Sequence, residues 1–222
     1  MELHNKISIC TKVFNDITSS YTYNKIIELI NYIKTTTNKL PTFVFAGVGK
    51  NWYICEKVEK TFISMGIKTI ALDCTHALHG DMGVLMDADE PKIMFFISKS
   101  GTTEELIRLA KTVDYLRKNS IIKNITTVSF YLNRAGSKFD NLYDFSLVPN
   151  WANYDNNEHL YEFDSKNLVP SLSINTMQMI LDYTGVKIFE QNSYLVDNYK
   201  YNHLAGNNGK ILGGDKILNG IN

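Results

Sequence analysis

Ser98-Lys99-Ser100-Gly101-Thr102-Thr103 carries more polar chemistry per residue than any other stretch of this chain. Four hydroxyls surround one glycine, an apolar run ends just before them, and helical periodicity begins at Glu104. A loop that closes a strand and opens a helix offers free N–H groups, the positive end of a helix dipole and hydroxyl donors in one place. That combination suits a phosphate monoester. The same residues also suit a helix cap, with Thr102 or Thr103 at the N-cap and Glu104 and Glu105 favourable in the first turn. The two roles are compatible.

Gly47-Val48-Gly49-Lys50 holds the same kind of position, after the β-rich run at 42–46 and before a helical stripe of Ile54, Val58, Phe62 and Met65. It lacks the third glycine of a dinucleotide-binding loop and is not a Walker A loop, so it gives little support to nucleotide binding. Lys50 stands at a helix start, where the dipole disfavours a cation. Such a placement fits a phosphate or sugar oxygen as partner, and a solvated surface lysine is the plain alternative. His76 and His79 lie three apart with no third metal ligand evident, so no metal site is expected. Glu162 falls in a stretch where a solvated carboxylate is the plain reading, and His203 by itself looks like any loop histidine.

Placing these groups takes a definite set of elements. Residues 1–40 read as helical, on the stripe Ile26, Ile27, Leu29, Ile30 and Ile33. Runs at 42–46, 69–72, 93–97, 125–129 and 144–147 read as strands, the third apolar enough for the centre of a sheet. Helices fall at about 104–118 and 171–183. The alternation predicts an α/β fold, a three-layer α/β/α sandwich around a five-stranded, mainly parallel sheet. Residues 149–167 read as a long loop, a length that in a compact domain usually serves function. A Gly- and Asn-rich tail is expected after His203. With neither repeats nor a second domain visible, 1–222 is expected to form a single domain. Its divisions are N-terminal helices to 40, a core over 41–212 and a tail over 213–222.

Lys plus Arg and Asp plus Glu both total 23, so no net field attracts nucleic acid or an anionic membrane. An anionic substrate would have to be held by a local site. No apolar run approaches the roughly 20 residues that span a bilayer, and the start, Met1 to Asn5, has no signal-peptide pattern. Cys10, Cys55 and Cys74 are scattered and odd in number, which reads as reduced thiols. The expectation is a cytoplasmic protein without membrane or nucleic-acid partners.

In order and spacing, Gly47-Val48-Gly49-Lys50, Leu78-His79-Gly80-Asp81-Met82-Gly83 and Ser98-Lys99-Ser100-Gly101 resemble three motifs of the arabinose 5-phosphate isomerases, which are SIS-domain (sugar isomerase) proteins. Those motifs are G-x-G-K, H-G-D-L-G and S-x-S-G-E-[ST]-x-E. The last glutamate of the third falls on Glu105, and its first is replaced by Thr102. Further on, Glu162, Pro170 and Ser173 match a later family stretch, and His203 matches the histidine of H-P-G-G-x-L-G without its proline and one glycine. The similarity covers roughly 40–212. It implies an SIS fold, flavodoxin- or Rossmann-like, in a form without the family's usual pair of CBS domains. It further implies a homotetramer in which a neighbouring subunit completes the site, and a product that feeds 3-deoxy-octulosonate (Kdo) synthesis for lipopolysaccharide or capsule.

The implied reaction interconverts D-ribulose 5-phosphate and D-arabinose 5-phosphate through an enediol. It moves a proton between C1 and C2, so it needs a carboxylate that serves as base and then acid, and a donor for the developing oxyanion. No redox or group-transfer step is involved, so no cofactor is expected. Lys50, His79, Glu105, Glu162 and His203 match family catalytic positions. Glu162 or Glu105 would shuttle the proton, with Glu162 preferred because a flexible loop can close over substrate. Lys50 would act as an electrophile, His79 and His203 as ring-opening or oxygen-polarising groups. Ser98, Ser100 and Thr103, with Gly47, Gly49, Gly101 and Thr102, would bind the substrate. The alternatives are another SIS isomerase, for a heptose, hexulose or amino sugar phosphate, and a sugar-phosphate sensor without catalysis.

Overall fold

The computed structural model describes residues 20–36, 39–132, 139–147, 162 and 169–220, with a few isolated positions before residue 20. Five strands form one sheet: β1 (Thr42–Gly47), β2 (Thr69–Asp73), β3 (Lys92–Ser98), β4 (Ile125–Tyr131) and β5 (Phe145–Leu147). Their order is β2-β1-β3-β4-β5, and every pairing is parallel. The expected strands are all present, and the sheet is wholly rather than mainly parallel. β1, β3 and β4 are buried almost throughout, as strands covered on both faces must be.

Alternation along β1 assigns the two cores. Phe43 and Phe45 face a layer made of α1 (Ser20–Thr36), α2 (Lys50–Ser64), α5 (Leu172–Glu190) and α6 (Ser193–Asn202). Val44 and Ala46 face the opposite layer, with α3 (Cys74–Ala77) and α4 (Glu104–Lys118). The first core is aromatic: Phe62 of α2 meets Phe43 and Phe45 edge-on, at ring distances of 5.3 and 5.2 Å. Fully burying each such ring contributes about 1.5–3 kcal/mol. This is the predicted three-layer sandwich.

Two local readings differ. α5 runs to Glu190, beyond the expected 183, and α6 follows it. The region read as a Gly/Asn-rich tail after His203, including the start of the stretch from 213, folds instead as α7 (Gly206–Leu212) and α8 (Gly214–Asn219). The glycines there permit contact rather than disorder. A Cβ on Gly209 would stand 2.7 Å from the Leu204 carbonyl carbon, and one on Gly214 would stand 2.6 Å from the His203 oxygen. The helical reading of 1–40 is met at Ser20–Thr36. The long loop read at 149–167 lies outside the described residues except for Glu162.

In the strand order 2-1-3-4-5 the direction of winding reverses between β1 and β3, and a crevice opens there beyond the carboxyl ends of the strands. The loop after β1 is Val48-Gly49, running into Lys50, and the loop after β3 is Lys99 to Thr103. The two segments singled out by their chemistry flank this one crevice.

Candidate active site

The loop after β3 is braced from inside. Ser98 is buried, and its Oγ lies 2.8 Å from Thr103 Oγ1 and accepts from the Gly101 amide at 3.1 Å. Ser100 Oγ accepts from the Thr102 amide and the Thr102 hydroxyl, each at 3.1 Å. Gly101 has φ 70°, a conformation glycine tolerates best. Thr103 occupies the N-cap position of α4, but its hydroxyl is turned to Ser98 and no side chain caps the helix. The capping role is therefore not taken up, and the amides of the first turn are left to solvent or a ligand.

Across the crevice, Gly47 allows α2 to come close: a Cβ there would lie 2.9 Å from the Asn51 carbonyl group and from Cys55 Sγ. Gly49, at φ 60°, stands at the N-cap of α2 and supplies no side-chain cap. Lys50 Nζ donates to the Pro170 carbonyl at 3.1 Å. Asn51, which lies in none of the motifs singled out above, leaves a buried Oδ1 without a hydrogen-bond partner among the described residues.

Glu105 and His79 face the same cleft. They line a cleft of about 260 Å³ with Cys74, Thr75, Leu78 and Arg108. Asp73 builds one wall by accepting from the Thr75 and His76 amides at 2.8 and 3.0 Å, which starts the short helix that carries the chain to His79. α4 builds the other wall, with Glu105 in its first turn and Arg108 in its second. Burial, then Asp73 and Glu105, push the Cys74 thiol up to about 12, so it stays protonated and inert at neutral pH. Arg108 had no motif to point to it. Its spacing of three from Glu105 on a helix was the available signal.

Glu162 departs furthest from its expected setting. Read as a solvated carboxylate on a flexible loop, it is fully buried. Lys99 Nζ lies 2.7 Å from Oε1, and the Ser171 and Leu172 amides donate to Oε2 at 2.6 and 2.9 Å. The Ser171 hydroxyl adds a bond at 3.2 Å, and the Ser173 hydroxyl donates to Oε1. The carboxylate thus covers the N-terminus of α5, whose own N-cap Ser171 makes no side-chain cap. Burial alone would push this carboxyl up, but Lys99, Ser173 and the Ser171 amide outweigh it and hold it below the usual carboxylate range.

His203 is not brought to the crevice. It ends α6, lies tilted against the Tyr199 ring with ring centres 4.2 Å apart, and has Nδ1 3.2 Å from the Tyr199 carbonyl. Its neighbour Asn202 donates to the carbonyl of Ser64, the last residue of α2. Lys50 is the first residue of the same helix, and 15 residues at the usual rise span about 22 Å. Among the described residues no three His, Cys, Asp or Glu side chains gather as a metal site, and no helix is long and apolar enough to cross a membrane.

The architecture is the SIS fold of solved phosphosugar isomerases. A phosphosugar isomerase from Bacteroides fragilis, described as involved in capsule formation, superposes with a TM-score of 0.70 at 22% identity, over 90% of this chain and 95% of that one. An Escherichia coli CFT073 protein in complex with arabinose 5-phosphate gives 0.66 at 21% identity, over 90% and 97%. The Vibrio vulnificus NanR protein complexed with ManNAc-6P gives 0.64 at 14% identity, over 89% and 66%. By sequence, the chain is 23% identical over 191 residues to arabinose 5-phosphate isomerase KpsF of Escherichia coli O6:H1, covering 86% of this chain and 50% of KpsF. It is 28% identical over 173 residues to an uncharacterised protein of Chlamydia pneumoniae, covering 75% of this chain and 46% of that one. The chain spans about half the length of the curated relatives it matches. No family model matches it.

Proposed function

We propose that this chain is an aldose–ketose isomerase for a phosphorylated sugar, and that it interconverts D-ribulose 5-phosphate and D-arabinose 5-phosphate. The carrying observation is that Glu105 and His79 line one cleft, beside an uncapped helix start with a hydroxyl-rich loop. In this reading Ser100, Gly101, Thr102 and Thr103 hold the phosphate, and Ser98 braces them. Glu105 carries the proton between C1 and C2, and His79 polarises a sugar oxygen. Lys50 serves the carbonyl end, and the orphan Asn51 acceptor suits a sugar hydroxyl. Glu162 is already engaged with five donor groups, so the shuttle role passes to Glu105. The aldose product would feed Kdo synthesis.

If His203 takes part, it must come from another copy of the chain, because its own Lys50 is a helix length away. This supports a homo-oligomer, a tetramer by family resemblance, with sites shared between subunits. A second reading is a sugar-phosphate sensor. It is favoured by the structural commitment of Glu162, which removes one of the two candidate bases.

Incubation with ribulose 5-phosphate in D2O, followed by NMR, tests these readings. Arabinose 5-phosphate with deuterium at C2 is the expected product. Turnover only of a heptose, hexulose or amino sugar phosphate would move the substrate. Binding of sugar phosphate without any exchange would replace the enzyme with the sensor.

A further inference from the structure

Two lysines at the crevice have protein partners, Lys50 on the Pro170 carbonyl and Lys99 on the Glu162 carboxylate, and Lys99 is the one set within the hydroxyl-rich loop. Lys99 is the only charged residue within the loop 98–103, and the first turn of α4 beyond it adds two carboxylates, Glu104 and Glu105. A phosphate dianion seated on this loop would therefore meet hydroxyls and amides with negative charge close behind them. Lys99 is the nearest cation along the chain, and it is paired with Glu162 instead.

Three features make that pairing releasable. Glu162 is buried and keeps the Ser171 and Leu172 amides and the Ser171 and Ser173 hydroxyls if the ammonium leaves, so it is not orphaned. The Lys99 side chain is 29% exposed and that of Glu162 not at all, so a soluble ligand meets the lysine side of the pair first. The Lys99 carbonyl accepts from the Leu132 amide at 3.1 Å, which pins the backbone to the end of β4. A change of partner then needs only side-chain rotation, which a four-carbon stem allows.

We propose that Lys99 is a phosphate-binding residue held in reserve on Glu162, and that its ammonium passes from the carboxylate to the phosphate when a sugar phosphate enters the loop. This rests on the reading of 98–103 as the phosphate loop. It gives Glu162 a role beyond covering α5, because the carboxylate competes with ligand phosphate for one cation. It also ties occupancy of the β3 loop to the N-terminus of α5.

The test is calorimetric titration of the whole chain with inorganic phosphate and with arabinose 5-phosphate, with folding of each variant checked by circular dichroism. Lys99→Met should weaken both ligands roughly tenfold, as loss of a charged hydrogen bond does, and Lys99→Arg should retain most of the affinity. Glu162→Gln removes the competitor and should tighten binding by roughly threefold. The double variant should bind like Lys99→Met alone, because Glu162 acts on affinity only through Lys99. Wild-type affinity in Lys99→Met, weakened binding in a folded Glu162→Gln, or additive effects in the double variant would each overturn the proposal. If Glu162→Gln does not fold, the Lys99→Met and Lys99→Arg pair decides alone. Failure of wild type to bind either probe would remove the phosphate loop itself, a result distinct from binding that ignores Lys99.

Discussion

Two carboxylates stand near the same edge of the sheet in opposite circumstances. Glu105 is exposed in a cleft with an imidazole and a guanidinium, on the first turn of α4. Glu162 is buried, held by a lysine and by the start of α5. A proton shuttle has to gain and lose a proton at each turnover, and a carboxylate kept ionised by fixed donors does this poorly. A structural anchor has the reverse requirement. Proximity to a site thus separates the two residues less well than the number of donors each already serves.

The comparison is sharpest under amide substitution. Glu105→Gln should lower kcat by roughly 10²–10⁴ and abolish deuterium incorporation at C2, with the melting temperature unchanged. Retained turnover would return the shuttle to Glu162. Ser100→Ala tests the loop between the two residues. It should raise KM for the sugar phosphate about tenfold or more, as a hydrogen bond to a charged group is lost, and leave kcat largely intact. Equal KM values would mean that the loop does not hold the phosphate.

Glu162→Gln should act on stability, costing about 1–3 kcal/mol in denaturant unfolding through the damaged ion pair and helix contacts. Its pH dependence has a definite sign. The folded carboxyl titrates below the ordinary glutamate value of 4.5, so its stabilising contribution is fully present above that pH. The contribution is lost as pH falls through the lower folded value. The gap between wild type and Glu162→Gln should therefore close in acid, and a gap that widens there would contradict the assignment. The smallest effect concerns His203. Two inactive proteins, Glu105→Gln and His203→Ala, should regain partial activity when their subunits are mixed and exchanged. No recovery would count against a shared site.

The crevice was legible because its parts follow local rules. Apolar runs of strand length, one ending in glycines and the other in a glycine among hydroxyl residues before helical periodicity, place Gly47 to Lys50 and Ser98 to Thr103 at strand ends. The sheet order then brings them together. The setting of Glu162 was not legible, because it depends on a contact between a polar stretch without periodicity and the start of α5. The one local sign was Pro170-Ser171-Leu172-Ser173, a helix start whose own serine does not cap it. The position of His203 was not legible for a similar reason: a motif match gives a residue type, and only the packing of Asn202 on Ser64 gives its end of the molecule. The helices after His203 were hidden by glycines whose purpose is close packing, since intrinsic propensity counts glycine against a helix.

The two buried thiols also supply a clock. Cys55 and Cys74 lie on either side of the β1–β2 edge, both fully inaccessible, with the Cys55 thiol pushed well up by burial first and then by Cys74. Neither can react with an alkylating reagent while its surroundings stay closed, so the two labelling rates report how often the packing around α2 and around the start of α3 opens. Cys74 lines the cleft of Glu105 and His79. A ligand that fills the cleft should slow its labelling, a readout of occupancy that needs no turnover.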